Sequence, residues 1–198
     1  MDRTMMQIKF LVLVSVLFFL SCNKDCDFND EINAVSQEEF QSAQYAYAIK
    51  NGIENWTSSL ATIQQVDLKS DSVWYAFRFT SFDNETQSLM RDDIAIFFQR
   101  SQFKEGQQIE LTSIGIGNLP YVNLSTASYN KFIGDEEFKS SYEIRKNCEI
   151  SYVIIDKITD TFVEGRFEII FEVMDIFRPD EEEIETKYSQ GFFRAAVN

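Results

Sequence analysis

Histidine is absent from all 198 residues, and with it go Ser–His and Cys–His nucleophile pairs, histidine-ligated zinc and the usual proton shuttle near neutral pH. Basic clusters are missing as well. No Lys/Arg run exceeds two residues and the net charge is −14, so the stripe of cations that a nucleic-acid backbone requires is not there. Phosphate cradles are also lacking: Gly115-Ile116-Gly117 is followed by Pro120 where a dinucleotide-binding turn needs glycine, and no P-loop Gly-Lys-Ser/Thr occurs. Asp25, Asp27 and Asn29 open like a calcium loop, but Asp30 stands where Gly is required and Ser36 where Glu is required. These residues therefore give no reason to expect a metal or a cofactor. Glycine and proline are few, 7 and 2, and no repeat or Pro/Ser-rich linker divides the chain.

What is present begins at the amino terminus. Arg3 and Lys9 precede the uncharged run Phe10–Leu20, whose 11 residues are about half of the ~20 that a helix needs to cross a bilayer. The run reads as the core of a signal peptide, with an uncleaved hydrophobic helix as the alternative. A cut after Ser21 puts Phe19 at position −3, too bulky for ordinary signal peptidase. Leu20-Ser21-Cys22 resembles the lipobox of bacterial lipoproteins, which implies removal of residues 1–21 and acylation of Cys22. Two acyl chains there would anchor the protein stably, where one is marginal. Asn23 resembles the sorting position that directs lipoproteins of two-membrane bacteria to the outer membrane. Lys24-Asp25-Cys26-Asp27, followed by Asp30-Glu31, resembles a surface-export signal of Bacteroidetes-type lipoproteins; a solvated acidic tether explains the same residues.

Removing 21 of 198 residues leaves 177, the size of one domain. Arg3 and Lys9 leave with Asp2, taking the net charge from −14 to −15; the surface is acidic and soluble, and membrane attachment must come from the lipid. Residues 22–42 are expected to be the tether, with Ser36 and Glu39 matching a capping box for a short helix, and residues 43–198 the folded domain. Once Cys22 is acylated, Cys26 and Cys148 remain in an oxidising compartment where disulfides persist. A Cys26–Cys148 bridge would tie the tether to the domain and close a long loop, worth about 4–5 kcal/mol at most. The alternative is two separate thiols, with Cys148 on a buried strand.

The domain carries most of the 19 Phe, 8 Tyr and 2 Trp, rings that suit strands and bury large areas. From about Ala43 a period-two pattern sets in. Tyr45, Tyr47 and Ile49 share a face, and Asn51-Gly52 is a strong type I′ hairpin signal. A two-residue turn there sets Lys50 opposite Ile53 and Tyr47 opposite Trp56, predicting a cross-strand pair of rings. Val73, Tyr75, Phe77 and Phe79 form one apolar face, and Ile94, Ile96 and Phe98 another. A strand is expected after Gly106 through Ile109 and Leu111. Residues 121–146 show no legible period. Alternation returns with Ile150, Tyr152 and Ile154, and is cleanest where Phe167, Ile169, Phe171 and Val173 interleave with Arg166, Glu168, Ile170 and Glu172. Ile184–Tyr188 then leads by Gly191 to a final strand, Phe192–Val197. The expectation is an all-β fold: one antiparallel sandwich or open barrel of about eight to ten strands.

The hairpin Ala48-Ile49-Lys50-Asn51-Gly52 leading to Trp56, the strand Val163-Glu164-Gly165-Arg166-Phe167 and the closing Gly191-Phe192-Phe193 resemble an uncharacterised family of Bacteroidetes-type secreted lipoproteins. The resemblance implies an all-β domain of unassigned activity and supplies no functional residues. The acidic groups Asp92-Asp93, Asp135-Glu136-Glu137 and Glu181-Glu182-Glu183 read as solvated loops; neighbouring residues of a strand face opposite ways, so none of these groups makes a catalytic pair by itself. Asp71-Ser72-Val73 resembles an O-glycosylation acceptor, or is simply a turn entering a strand. The expectation for function is a lipid-anchored outer-membrane lipoprotein, surface-exposed where the export signal acts, that binds a protein or glycan partner without catalysis. A small glycan-directed envelope hydrolase using paired carboxylates is the alternative.

Overall fold

The alternating pattern folds into eleven strands and no α-helix among the described residues. In the computed structural model these are 44–68, 72–82, 89–114, 124–133, 137–146, 151–174 and 184–197. Cys22, Cys26 and Cys148, the Ser36–Glu39 capping box, the calcium-like run, the Gly115–Pro120 segment and the acidic group Glu181–Glu183 lie outside them. The strands are β1 (Tyr45–Lys50), β2 (Glu54–Ser58), β3 (Leu60–Val66), β4 (Trp74–Phe82), β5 (Met90–Gln99), β6 (Gln108–Glu110), β7 (Thr126–Ile133), β8 (Glu137–Ile144), β9 (Tyr152–Ile158), β10 (Phe162–Val173) and β11 (Glu185–Val197). A 3-10 turn, Arg100–Gln102, follows β5.

The strands hydrogen-bond in the order β2-β1-β11-β3-β4-β5-β7-β8-β10-β9-β6, and β10 also pairs with β11. That extra pairing closes β11, β3, β4, β5, β7, β8 and β10 into a ring, with β1-β2 hung on β11 and β9-β6 hung on β10. Strands alternating in direction cannot close a ring of odd number, so one pair must run parallel. It is β3 with β11, held by Thr62 opposite Ala196 and Ile63 opposite Val197. The expected purely antiparallel arrangement is corrected at this seam, and at an isolated parallel bridge between Leu111 and Ser125. Both β10 and β11 outrun the usual five or six residues because each serves two neighbours along one edge. β11 meets β1 and then β3; β10 meets β9 and then β8.

Inside, the apolar faces meet as rings. Phe77 and Phe79 of β4 lie across from Phe193 of β11 and Phe167 of β10, with centroids 4.7 Å (Phe77–Phe193), 5.2 Å (Phe79–Phe193) and 5.4 Å (Phe79–Phe167) apart. Each fully buried ring of this kind is worth about 1.5–3 kcal/mol of transfer free energy, with more from ring geometry. Ile94, Ile96, Phe98, Val153, Ile155, Ile169 and Phe171 complete this core, bearing out the faces expected of β5 and β10.

Three local expectations are corrected. The Asn51-Gly52 turn forms, with φ of 52° and 74° and the Ile53 amide donating to Lys50 O, but the ladder resumes one residue later, Lys50 opposite Glu54 and Ala48 opposite Trp56. A one-residue slip moves side chains to the other face, so Tyr47 and Trp56 part company: Trp56 meets Tyr188 in the core and Tyr47 stacks on Phe192. The illegible stretch holds the β7–β8 hairpin. The two closing strands are one, β11, interrupted only by a bulge.

Candidate functional site

Two clusters of polar side chains stand out, one inside the domain and one on its outer surface. The inner one is built on β5. Asp92 points inward and Asp93 outward, as adjacent residues of a strand must, which corrects the solvated-loop reading of this pair. Tyr129 donates a 2.7 Å hydrogen bond to Asp92 Oδ1, while Trp56 Nε1 and Ser81 Oγ donate to Oδ2 at 3.2 and 3.1 Å. Behind them Lys50 Nζ donates to the Tyr129 hydroxyl at 3.4 Å and sits 5.6 and 5.9 Å from the ring centroids of Tyr129 and Tyr188. Burial, then the Tyr188 hydroxyl and the Asp92 carboxylate, push the Tyr129 pKa far above its ordinary value, so the phenol stays a donor. On the opposite face Asp93, 3% exposed, accepts two 2.8 Å hydrogen bonds from Arg78 and one of 3.0 Å from Thr80. Both carboxylates are fully engaged in holding strands together.

The outer cluster arises from a fault in β11. Between Tyr47 and Ile49 of β1, β11 spends three steps, Phe192 to Ser189; between Phe167 and Ile169 of β10 it again spends three, Gly191 to Tyr188. One surplus residue therefore bulges out of both ladders, and Gln190 takes up the left-handed conformation, φ 50°, which is unusual for a residue other than Gly, Asn or Asp. Bulges of this sort re-aim side chains and collect at binding sites. Beside it lies a cavity of about 280 Å³ lined by Tyr47, Tyr152, Ile154, Arg166, Phe167, Glu168, Gln190, Gly191 and Phe192.

One wall of this cavity is aromatic: Tyr47 and Phe192 stack with centroids 5.8 Å apart at 27°, and Tyr45 continues the row 6.0 Å from Phe192. The other wall is polar. Arg166 donates to both oxygens of Asp156, at 2.9 and 2.8 Å, and those hydrogen bonds hold its pKa above the ordinary value. Glu168 lies 3.5 Å from Lys187 Nζ and accepts a 3.4 Å hydrogen bond from the Tyr152 hydroxyl. Burial and the adjoining Glu168 charge raise the Tyr152 pKa, keeping that hydroxyl protonated. Each charge is thus matched by its opposite, and Glu168 is the one acidic side chain in the lining.

The site was only partly visible in the residues. Tyr152 and Ile154 alternate as expected, but Val153 and Ile155 are the buried pair, leaving the first two to face the cavity. Gln190, next to Gly191, carries no compositional signal of its own. Its signal is a slip in parity: Thr186 and Tyr188 are buried at even positions, Phe193 and Ala195 at odd ones, which requires one extra residue between.

Among the described residues no group of three His, Cys, Asp or Glu is placed to hold a metal ion, and no helix is long and apolar enough to cross a membrane. Compared with protein-family profiles, curated proteins and solved structures, the chain matches none.

Proposed function

We propose that this protein is an envelope lipoprotein, anchored by lipid on Cys22 at the outer membrane, whose domain binds a partner in the cavity beside Gln190 and performs no chemistry on it. The observation that carries the reading is the bulge in β11. It places a strained glutamine next to the half-buried Phe192 ring, in a cavity whose lining offers hydrogen-bond donors and acceptors yet no unpaired charge. Strain of this kind is retained where surrounding structure supports a function. Small-ligand sites are typically concave and mostly apolar, with a few placed polar groups.

The competing reading, a carboxylate hydrolase, calls for two acidic groups facing each other about 5–10 Å apart across a cleft. Asp92 and Asp93 face opposite ways and Glu168 stands by itself in the cavity lining, so binding is the better supported of the two. The anchor half of the proposal is tested by Cys22→Ser in the bacterial host. The expected outcome is loss of acyl-chain labelling and transfer of the protein from the membrane to the soluble fraction. An unchanged membrane fraction would refute the anchor.

A further inference from the structure

We infer that the cavity beside Gln190 takes a neutral saccharide, an inference that rests on the binding reading above and narrows it to one chemical class. Three features of the cavity select the ligand.

The first is charge. Arg166 spends two of its N–H groups on Asp156, at 2.9 and 2.8 Å, and Glu168 is opposed by Lys187, so the cavity walls are near neutral in sum. A phosphate or sulfate would meet a guanidinium already committed to a carboxylate, and a cation would meet a carboxylate already opposed by an ammonium. A ligand without formal charge avoids both conflicts.

The second is backbone. The cavity lies on the face of β1, β11, β10 and β9, and β1, β11 and β10 are hydrogen-bonded to neighbours on both sides. No row of main-chain groups is offered, so an extended peptide cannot add itself as a strand here. Recognition must run through side chains.

The third is the pairing of groups. Phe192, half-buried and backed by the buried Tyr47 ring stacked on it, presents ring surface to the cavity, which is also lined by planar polar groups: the remaining guanidinium N–H donors of Arg166, the Glu168 carboxylate and the Gln190 amide. A pyranose has the matching anatomy, an apolar C–H face on one side and hydroxyls around its rim that both donate and accept. Planar side chains engage such vicinal hydroxyls two at a time, while the rings take the C–H face.

The test uses the whole mature domain and an array of neutral oligosaccharides, hexasaccharides of glucose, mannose, galactose and xylose in their common linkages. Calorimetry then measures the best of them. Binding that weakens at least tenfold in both Arg166→Ala and Phe192→Ala, with the β-sheet circular dichroism spectrum retained, supports the inference. Should Phe192→Ala fail to fold, Gln190→Gly serves in its place, since glycine accepts the same backbone conformation. Silence across the array at millimolar concentration overturns it, as does binding that these variants leave unchanged. A photo-crosslinking residue at position 190, used in the host's envelope, separates the two failures. A crosslinked protein alongside a silent array ends the saccharide and leaves the binding reading standing; no adduct and no saccharide ends both.

Discussion

Gly165 shows how closely one position is specified. A β-carbon there would meet the Ile154 carbonyl oxygen and come within 2.5 Å of the Phe193 ring, and a backbone oxygen inside a ladder has little room to give. Gly165→Ala is expected to destabilise the domain by about 1–3 kcal/mol, the usual cost of overpacking, read as a lowered urea midpoint at unchanged slope. Tyr129 specifies a pH effect. Its folded pKa lies above the 10.0 of an unfolded tyrosine, so the unfolded chain releases this proton first. The stabilisation is complete below about pH 10 and drains away as pH rises beyond it, by about 1.4 kcal/mol per pH unit for this one proton. Stability measured from about pH 9 to 11 should hold until about pH 10 and fall toward that slope above it, more shallowly in Tyr129→Phe. An equal fall in both proteins would show that Tyr129 does not titrate on unfolding. At neutral pH the variant should lose about 1–3 kcal/mol, because Asp92 and Lys50 each lose a hydrogen-bond partner.

Strain in β11 is an effect of the element rather than of any one contact. Gln190 holds a left-handed conformation that costs a non-glycine residue about 1–2 kcal/mol, so Gln190→Gly is expected to raise the melting temperature while weakening ligand binding. A lower melting temperature would mean that the glutamine side chain stabilises the bulge. Elements whose partners are local were the legible ones. The faces of β4, β5 and β10 follow from alternation because a core on one side imposes it. The β7–β8 hairpin was hidden since Ser128, Ser140 and Thr126 are buried, so polarity no longer marks the outward face. The register of β1 with β2 went unread for a different reason. The turn type was evident from Asn51-Gly52, but the surplus Ile53, 92% exposed, reflects how the hairpin docks: Asn51 N donates to Lys187 O and Lys187 N to Asn51 Oδ1, both at 2.8 Å. That contact spans most of the chain, and no local pattern announces it. The cavity suffers the same blindness, being assembled from β1, β9, β10 and β11.

Closure is decided at the level of the whole molecule, and β11 decides it. This one strand pairs with β1, β3 and β10 and contributes the only parallel seam of the ring. Removing Phe192–Asn198 deletes the partners of Tyr45–Tyr47, of Thr62 and Ile63, and of Phe162–Arg166, and takes Phe193 out of the core. The truncated domain is expected to lose both its sheet-like circular dichroism and its cooperative melting transition; a folded product would show that the remaining strands close without this segment. All three partners of β11 are made before it is. A ribosome must therefore reach codon 185 and beyond before any of the ring can be sealed, and until then the nascent chain stays open, its edges unpaired. Any cellular machine that threads loose polypeptide thus meets this chain before it has set, with the edges of β1, β3 and β10 that await β11 still bare.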